Sequence, residues 1–199
     1  MSSMATLNAT HSLEFLSAPY AAMSADTLFS YFQTRNSIRY LPLSRGTHMH
    51  VERAEKILKH EFDFNNEVHQ LPETFDWKAN PSLDLEWLIL LHKFYYAKDL
   101  AGAYDYTGDD TYTRKWMELV SSWIRNVPDG FIDSQVTGRR LQQWLSAYHY
   151  FVPGKRSAAI TPSFLVEWLR SVHSQTLYLC EHLTPEGNHR TIELYSIFL

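Results

Sequence analysis

Apolar residues recur every three or four positions along most of this chain, which is the spacing of an amphipathic α-helix. The pattern predicts seven helices, and the longer ones each carry a wide apolar face. Their approximate ranges are 24–35, 51–62, 84–106, 110–127, 134–152, 162–183 and a last helix from residue 188 onward. Long helices joined by short loops lie antiparallel to their neighbours. The pattern therefore predicts an all-α protein of antiparallel helical hairpins, arranged either as an α-solenoid or as part of an (α/α) toroid.

Residues that start and stop helices separate these segments. Gly108 is placed to end one helix, and Asp109 is placed to cap the next. Similar start signals precede three other helices, at Ser82 or Asp84, at Asp133 or Ser134, and at Thr161-Pro162, where proline takes the first helical position. We therefore expect well-defined boundaries between the long helices.

Two segments have no helical pattern. Residues 1–24 are rich in Ser, Thr and Ala, which predicts a poorly ordered lead-in. Residues 63–81 contain two prolines, and there we predict an extended connection that lies on the helices. The chain shows no internal repeat with a period of about 34 residues, which is unfavourable to a solenoid.

Composition narrows the class of protein. A chain of 199 residues with 45% hydrophobic residues can bury a core as one domain. A net charge of -4 without a basic run argues against nucleic-acid binding. The sequence has no apolar run long enough to span a membrane, no recognisable signal peptide, and one cysteine, Cys180. The aromatic content of 15% suits both a packed core and a cleft in which sugars stack.

Short motifs in a fixed order carry a resemblance to a known family. They are Phe75-Asp76-Trp77, Asn80-Pro81, Glu86-Trp87, Leu91-His92-Lys93, Leu100-Ala101, Ala103-Tyr104, Thr107-Gly108-Asp109, Tyr112, Trp116, Ser122-Trp123-Ile124, Gly138, Arg140, Trp144 and Gly187-Asn188-His189. Together they resemble the N-terminal helical domain of the heparinase II/III family of polysaccharide lyases. The resemblance covers residues 28–199, and it favours the toroid over the solenoid.

The resemblance implies that residues 25–199 form the N-terminal part of a toroid lyase domain. In that family a tyrosine base follows the Asn-His pair by some tens of residues, and a β-sandwich domain comes after it. We therefore expect this chain to be a fragment that is inactive alone. Its expected partners are an acidic polysaccharide, of the heparin or heparan sulfate type or of the alginate type, and the missing C-terminal part of its own chain. The resemblance implies no cofactor and a periplasmic or secreted location.

Asn188 and His189 are the candidate catalytic residues. Pro185 and Gly187 end one helix, so the amide and the imidazole come together at the start of the next, where the helix dipole favours an anion. The family cleaves uronic-acid polysaccharides by β-elimination, which places a second negative charge next to a carboxylate. By resemblance, Asn188 neutralises this carboxylate and His189 assists by donating a hydrogen bond or accepting the proton. The alternative interpretations are an N-cap for Asn188 and a solvent-facing imidazole for His189.

Four residues are candidates for substrate binding. Arg140 could hold a sugar carboxylate, with Trp144 one helical turn later. The open alternatives for Arg140 are an ordinary surface arginine and a structural ion pair. His92 and Lys93 form a polar pair on an otherwise apolar helix, and such a pair either faces a cleft or is paired internally. The family usually has arginine at the position of Lys93. Lysine keeps the positive charge but lacks the planar guanidinium, which can bind a carboxylate through two hydrogen bonds.

Other chemistries fit the sequence less well. His48 with His50, and His182 with His189, lack the further ligands that complete a metal site, so we predict none. The adjacent carboxylates Asp109-Asp110 cannot flank a sugar bond from opposite sides, which argues against a glycosidase. The open alternative to a lyase is a non-catalytic helical scaffold that binds carbohydrate or protein.

Overall fold

Eight α-helices and one short β-hairpin account for the regular structure of residues 12–35 and 42–199, the part of the chain that the computed structural model describes. The helices are α1 Ala25–Thr34, α2 His48–Leu58, α3 Leu85–Lys93, α4 Ala97–Thr107, α5 Asp110–Asn126, α6 Ser134–Phe151, α7 Pro162–Glu181 and α8 Gly187–Phe198. The hairpin pairs β1 Glu61–Phe64 with β2 Glu67–Gln70, and a 3-10 turn spans Tyr20–Ala22. The helix content confirms the predicted all-α class.

The helices form two layers. In one layer α2, α4, α6 and α8 follow one another, each packed against the next. In the other layer α7 lies between α5 and α1. Consecutive helices alternate between the layers, since α4 packs on α5 and α7 packs on both α6 and α8. This arrangement is the stack of helical hairpins that the sequence predicts.

Four of the predicted boundaries are confirmed by hydrogen bonds or backbone angles. The side chain of Asp109 accepts a hydrogen bond from the backbone N–H of Thr111 at 2.8 Å, and Gly108 has a φ of 74°. Asp133 likewise accepts from the N–H of Val136 at 2.8 Å, and Thr161 accepts from Phe164 ahead of the proline at the helix start. These contacts satisfy N–H groups that a helix start leaves unpaired.

One predicted helix is divided into two. The apolar pattern predicts a continuous helix over 84–106, but the structure ends α3 at Lys93 and begins α4 at Ala97. Phe94 lies between them in the left-handed region, with a φ of 58°. Its buried ring stacks on Trp77 at 5.5 Å and meets Trp144 edge-on at 5.4 Å. Tertiary packing of the ring therefore outweighs the local preference for a continuous helix.

The segment after α2 also differs from its prediction. Helix α2 begins and ends a few residues earlier than predicted, and residues 61–70 form a hairpin instead of helix and irregular connection. The turn residues Asn65 and Asn66 both have positive φ, at 53° and 61°, as a two-residue hairpin requires. Phe62 in β1 is buried against Phe75 and Tyr96, which gives the hairpin its place on the helices.

The N-terminal lead-in is packed where the structure describes it. Residues 1–11 lie outside the described part of the chain, so the prediction of disorder is not addressed there. Within 12–24, however, Leu13 is buried in a small cluster with Leu28 of α1 and Val166 of α7. The composition of this segment predicted poor order. Composition does not show that α1 and α7 together form an apolar site in which this leucine is buried. None of the helices in the described ranges is long and apolar enough to cross a membrane.

Candidate active site

The Asn188-His189 pair lies at the start of α8, where the sequence places it. Helix α8 begins at Gly187, and its N-cap is Glu186, whose side chain makes no capping hydrogen bond. Asn188 is therefore the second residue of the helix and not its cap, so the N-cap interpretation is wrong. The side chains of Asn188 and His189 are both exposed. A polar amide and an imidazole are thus presented together to solvent at the positive end of a helix.

Helix α8 is held on α6 by polar contacts at close range. Ser196 donates a hydrogen bond to the carbonyl oxygen of Gly138 at 2.9 Å. The amide of Gln142 donates to the carbonyl oxygen of Ile192 at 3.1 Å and to the Ser196 hydroxyl at 3.0 Å. A Cβ atom on Gly138 would lie 3.1 Å from the Ser196 oxygen, so glycine permits this close approach. The position of Asn188 is therefore set by a specific α6–α8 interface.

The buried face of α8 is polar, although the sequence pattern of this helix is apolar. Glu193 is 0% exposed and Ser196 is 3% exposed. Leu194 and Phe198, which belong to the apolar pattern that predicts the helix, are 45% and 62% exposed. The helix itself is confirmed, but its apolar positions do not mark the face that packs against the fold.

Arg140 lies in the interior of the fold and has no exposed surface. Its guanidinium donates hydrogen bonds to the side-chain oxygen of Gln175 at 2.8 Å, to the carbonyl oxygen of His92 at 3.3 Å and to the Thr137 hydroxyl at 3.2 Å. It also lies 3.9 Å from the centre of the Trp123 ring. Burial lowers the pKa of Arg140 to about 9, so the group is charged at neutral pH. Binding of a sugar carboxylate by Arg140 stays a prediction, and it requires substrate to reach a guanidinium that the fold already satisfies.

His92 is paired internally, which is one of the two alternatives that the sequence left open. It is 0% exposed, and its Nε2–H donates to the carbonyl oxygen of Trp77 at 2.8 Å. The indole N–H of Trp123 donates to Nδ1 at 3.0 Å, which requires a neutral ring with a lone pair at that nitrogen. Burial is the main reason that the pKa of His92 falls to about 4. The histidine bridges two tryptophans in the core.

Trp144 and Lys93 have different surroundings. Trp144 is fully buried and meets Trp123 edge-on at 5.6 Å, so its ring belongs to the same aromatic core. Lys93 is partly exposed, and its ammonium group forms an ion pair with Glu86 at 3.2 Å. Substrate binding by either residue stays a prediction. Of the four residues predicted to bind substrate, only Lys93 presents a charged group near the surface of this structure.

The Asn-His pair lies outside a groove between α5 and α7. A groove of about 950 Å³ lies between α5 and α7, and its lining includes Met117, Trp123, Asp129 and Ser174. Neither Asn188 nor His189 is among the lining residues. The exposed pair at the start of α8 is therefore a surface element, which can contribute an amide and an imidazole to a cleft but does not enclose a substrate.

Three residues that hold the pair in place could not be assigned this role from the sequence pattern. Ser134 was predicted only as a possible helix start, and Thr184 and Glu193 were given no role, although the carboxylate of Glu193 accepts hydrogen bonds from both Ser134 and Thr184. The one available signal was the charged Glu193 within an apolar helical pattern, since a polar residue there is often paired internally.

The chain is similar in sequence to known proteins. The family described as "Heparinase II/III N-terminus" matches residues 11–199. A heparin-sulfate lyase of Pedobacter heparinus is 33% identical over 156 residues, which cover 71% of this chain and 23% of the relative. A heparin-sulfate lyase of Bacteroides stercoris is 26% identical and covers 86% of this chain and 30% of its own length.

Solved structures show the same fold. The crystal structure of heparan sulfate lyase HepC from Pedobacter heparinus has a TM-score of 0.71 at 28% identity, covering 86% of this chain and 30% of that protein. The crystal structure of heparinase III has a TM-score of 0.76 at 20% identity, which shows the fold alone. The chain thus spans less than a third of the length of these relatives. Because the family match covers nearly the whole sequence, this protein belongs to the heparinase II/III family and corresponds to its N-terminal region.

Proposed function

We propose that this chain is the N-terminal part of a polysaccharide lyase that cleaves a uronic-acid polysaccharide of the heparin or heparan sulfate type by β-elimination. The relatives that support this substrate class are named heparin-sulfate lyases. The single observation that carries the proposal on this chain is the exposed Asn188-His189 pair at the start of a helix that is hydrogen-bonded to α6. A periplasmic or secreted location is part of the same proposal.

The proposed reaction removes the C5 proton of the uronic acid. The C–H electron pair becomes the C4–C5 double bond, the bond from C4 to the glycosidic oxygen breaks, and that oxygen leaves with a proton. Negative charge develops on the carboxylate next to C5 during proton removal. Asn188 donates hydrogen bonds to this carboxylate, as a donor in an oxyanion hole does. His189 donates a further hydrogen bond or accepts the proton, and a tyrosine beyond residue 199 acts as the base.

The test uses the full-length gene product and follows the ultraviolet absorbance of the new double bond. We expect Asn188→Ala to lower kcat about a hundredfold or more, because a lost oxyanion donor typically costs about 2.7–4 kcal/mol. The KM should change less, since the amide matters most once charge has moved onto the carboxylate. Heparan sulfate and alginate serve as alternative substrates in the same assay.

A matched control is Asn126→Ala, at the exposed C-terminal end of α5 and outside the proposed site. It should retain wild-type turnover. An Asn188→Ala enzyme with unchanged kcat would remove the pair from the active site. If the full-length protein binds these polysaccharides without forming the double bond, the alternative of a non-catalytic carbohydrate-binding scaffold would be correct.

A further inference from the structure

We propose that Glu193 is a positioning residue that fixes the turn carrying Asn188, through hydrogen bonds that join three separate segments of the chain. This inference rests on the proposed role of Asn188. Glu193 lies on α8, five residues after Asn188, and its side chain reaches back towards the loop that precedes the helix. No other carboxylate within the described ranges is 0% exposed.

Three short hydrogen bonds define the arrangement. One carboxylate oxygen of Glu193 accepts from the Thr184 backbone N–H at 2.7 Å. The other accepts from the Thr184 hydroxyl at 2.7 Å and from the Ser134 hydroxyl at 2.6 Å. Thr184 lies in the loop between α7 and α8, and Ser134 is the first residue of α6. A single buried carboxylate therefore ties the loop and its following helix to the start of α6.

The contacts keep this carboxylate charged in spite of its burial. Burial by itself raises the pKa of Glu193, but the hydrogen bonds from Ser134 and Thr184, together with the nearby His189, lower the pKa by more. Hydrogen bonds to an ionised acceptor are shorter and stronger than those between neutral groups. The charged form of Glu193 is thus the form that holds the turn.

The turn itself contains a glycine with a positive φ. Gly187 directly precedes Asn188 and has a φ of 86°, a conformation that glycine adopts readily and other residues avoid. Arg190 supplies a second tether on the same loop, because its guanidinium donates to the carbonyl oxygen of Pro185 at 2.6 Å. Two side chains of α8 therefore fold back onto loop residues that precede this glycine, and they hold in place the backbone that carries Asn188.

The experiment compares variants in the full-length gene product. Glu193→Gln keeps the shape of the side chain but removes its charge and one of its two acceptor oxygens, so the Thr184 N–H and the two hydroxyls can no longer all donate to it. We expect kcat to fall about tenfold to a hundredfold with KM within about twofold, which is the size of effect that a displacement of about 1 Å at a reacting group can cause. Hydrogen exchange of residues 184–190 should become faster, while exchange in α5 stays as in the wild type.

A conservative pair of variants tests the hydrogen bond itself. Thr184→Val removes the hydroxyl and should lower kcat as Glu193→Gln does. Thr184→Ser keeps the hydroxyl and should retain most of the wild-type kcat. Glu181→Gln, at the exposed end of α7, is the control for loss of a carboxylate and should leave kcat unchanged.

The outcomes separate this inference from the proposed function. If Asn188→Ala abolishes turnover while Glu193→Gln matches Glu181→Gln, the positioning role is wrong and the lyase site stands. If Asn188→Ala has no effect, both are wrong. Equal losses of kcat for Thr184→Ser and Thr184→Val, or faster exchange throughout the protein in Glu193→Gln, would show a general loss of folding instead of a defined positioning role.

Discussion

At the residue scale, the fold encloses His92 and Arg140, whose hydrogen bonds are made to other residues in its interior. His92 donates to the carbonyl oxygen of Trp77 and accepts from the indole of Trp123, and the guanidinium of Arg140 lies against the same tryptophan. A neutral imidazole satisfies both neighbours, whereas a protonated one would set its new N–H against the indole N–H. Burial and the nearby charge of Arg140 both disfavour the protonated form.

This network predicts a pH dependence of stability. The folded state keeps His92 neutral down to a pKa of about 4, whereas in the unfolded chain its imidazole takes up the proton near the ordinary histidine pKa of 6.5. Lowering the pH through this window therefore favours the unfolded state, by about 3 kcal/mol for this group at about 1.4 kcal/mol per pH unit. His92→Gln offers one donor and one acceptor without titrating. Urea unfolding between pH 4 and 6.5 should show a smaller loss of stability in His92→Gln than in the wild type, and equal losses would contradict the assignment.

At the scale of elements, packing decides where the chain leaves the helix. The buried ring of Phe94 contacts Trp77, Tyr96 and Trp144, and the backbone turns into the left-handed region to place it there. The ring contacts stabilise a conformation that is locally unfavourable for any residue with a Cβ atom.

Two substitutions at Phe94 separate the contribution of the ring contacts to stability from the cost of the left-handed backbone. Phe94→Ala removes the ring and keeps the unfavourable φ, and it should cost about 3–5 kcal/mol of unfolding free energy. Phe94→Gly also removes the ring but relieves the backbone, so we expect it to be about 1 kcal/mol more stable than Phe94→Ala. Urea unfolding midpoints of the two variants measure this difference in stability. An alanine variant at least as stable as the glycine variant would show that the left-handed backbone carries no cost.

At the scale of the whole molecule, α8 turns polar residues inward and apolar residues outward. Glu193 and Ser196 are buried, while Leu194 and Phe198 are largely exposed. The chain covers only 23–30% of the length of its heparin-sulfate lyase relatives. An exposed apolar face on the last helix is a surface that favours association.

We therefore expect the isolated 199-residue chain to self-associate through α8. Sedimentation velocity should show oligomers that Leu194→Glu shifts towards monomer. The matched control is Leu177→Glu, on α7, where the leucine is 51% exposed, compared with 45% for Leu194. It should leave the oligomers unchanged. A monodisperse monomer over a wide concentration range would contradict this expectation.

The isolated chain should also form no unsaturated product from heparan sulfate, because it carries the proposed neutralising amide of Asn188 without the proposed tyrosine base. The ultraviolet assay measures this directly, with the full-length gene product as the positive control. Product formation by the isolated chain would show that the base lies within these residues.

Most of the secondary structure follows from the sequence alone. Each signal for a helix or its end acts on residues within a few positions of itself. These signals are the apolar periodicity, the capping side chains of Asp109, Asp133 and Thr161, and the glycine at position 108. Local chemistry therefore determines the long helices and their ends. The location of Asn188 and His189 at a helix start was determined in the same way, because Pro185 and Gly187 interrupt the pattern just before them.

Only the tertiary structure decided the rest. The break at Phe94, the packed hairpin of 61–70, the internal pairing of His92 and Arg140 and the inward face of α8 all depend on residues far apart in the chain. Apolar periodicity reports which positions can be buried, but not which neighbours are available to bury them. Glu193 is buried because Ser134 and Thr184 satisfy its carboxylate, and only the folded chain brings those three residues together.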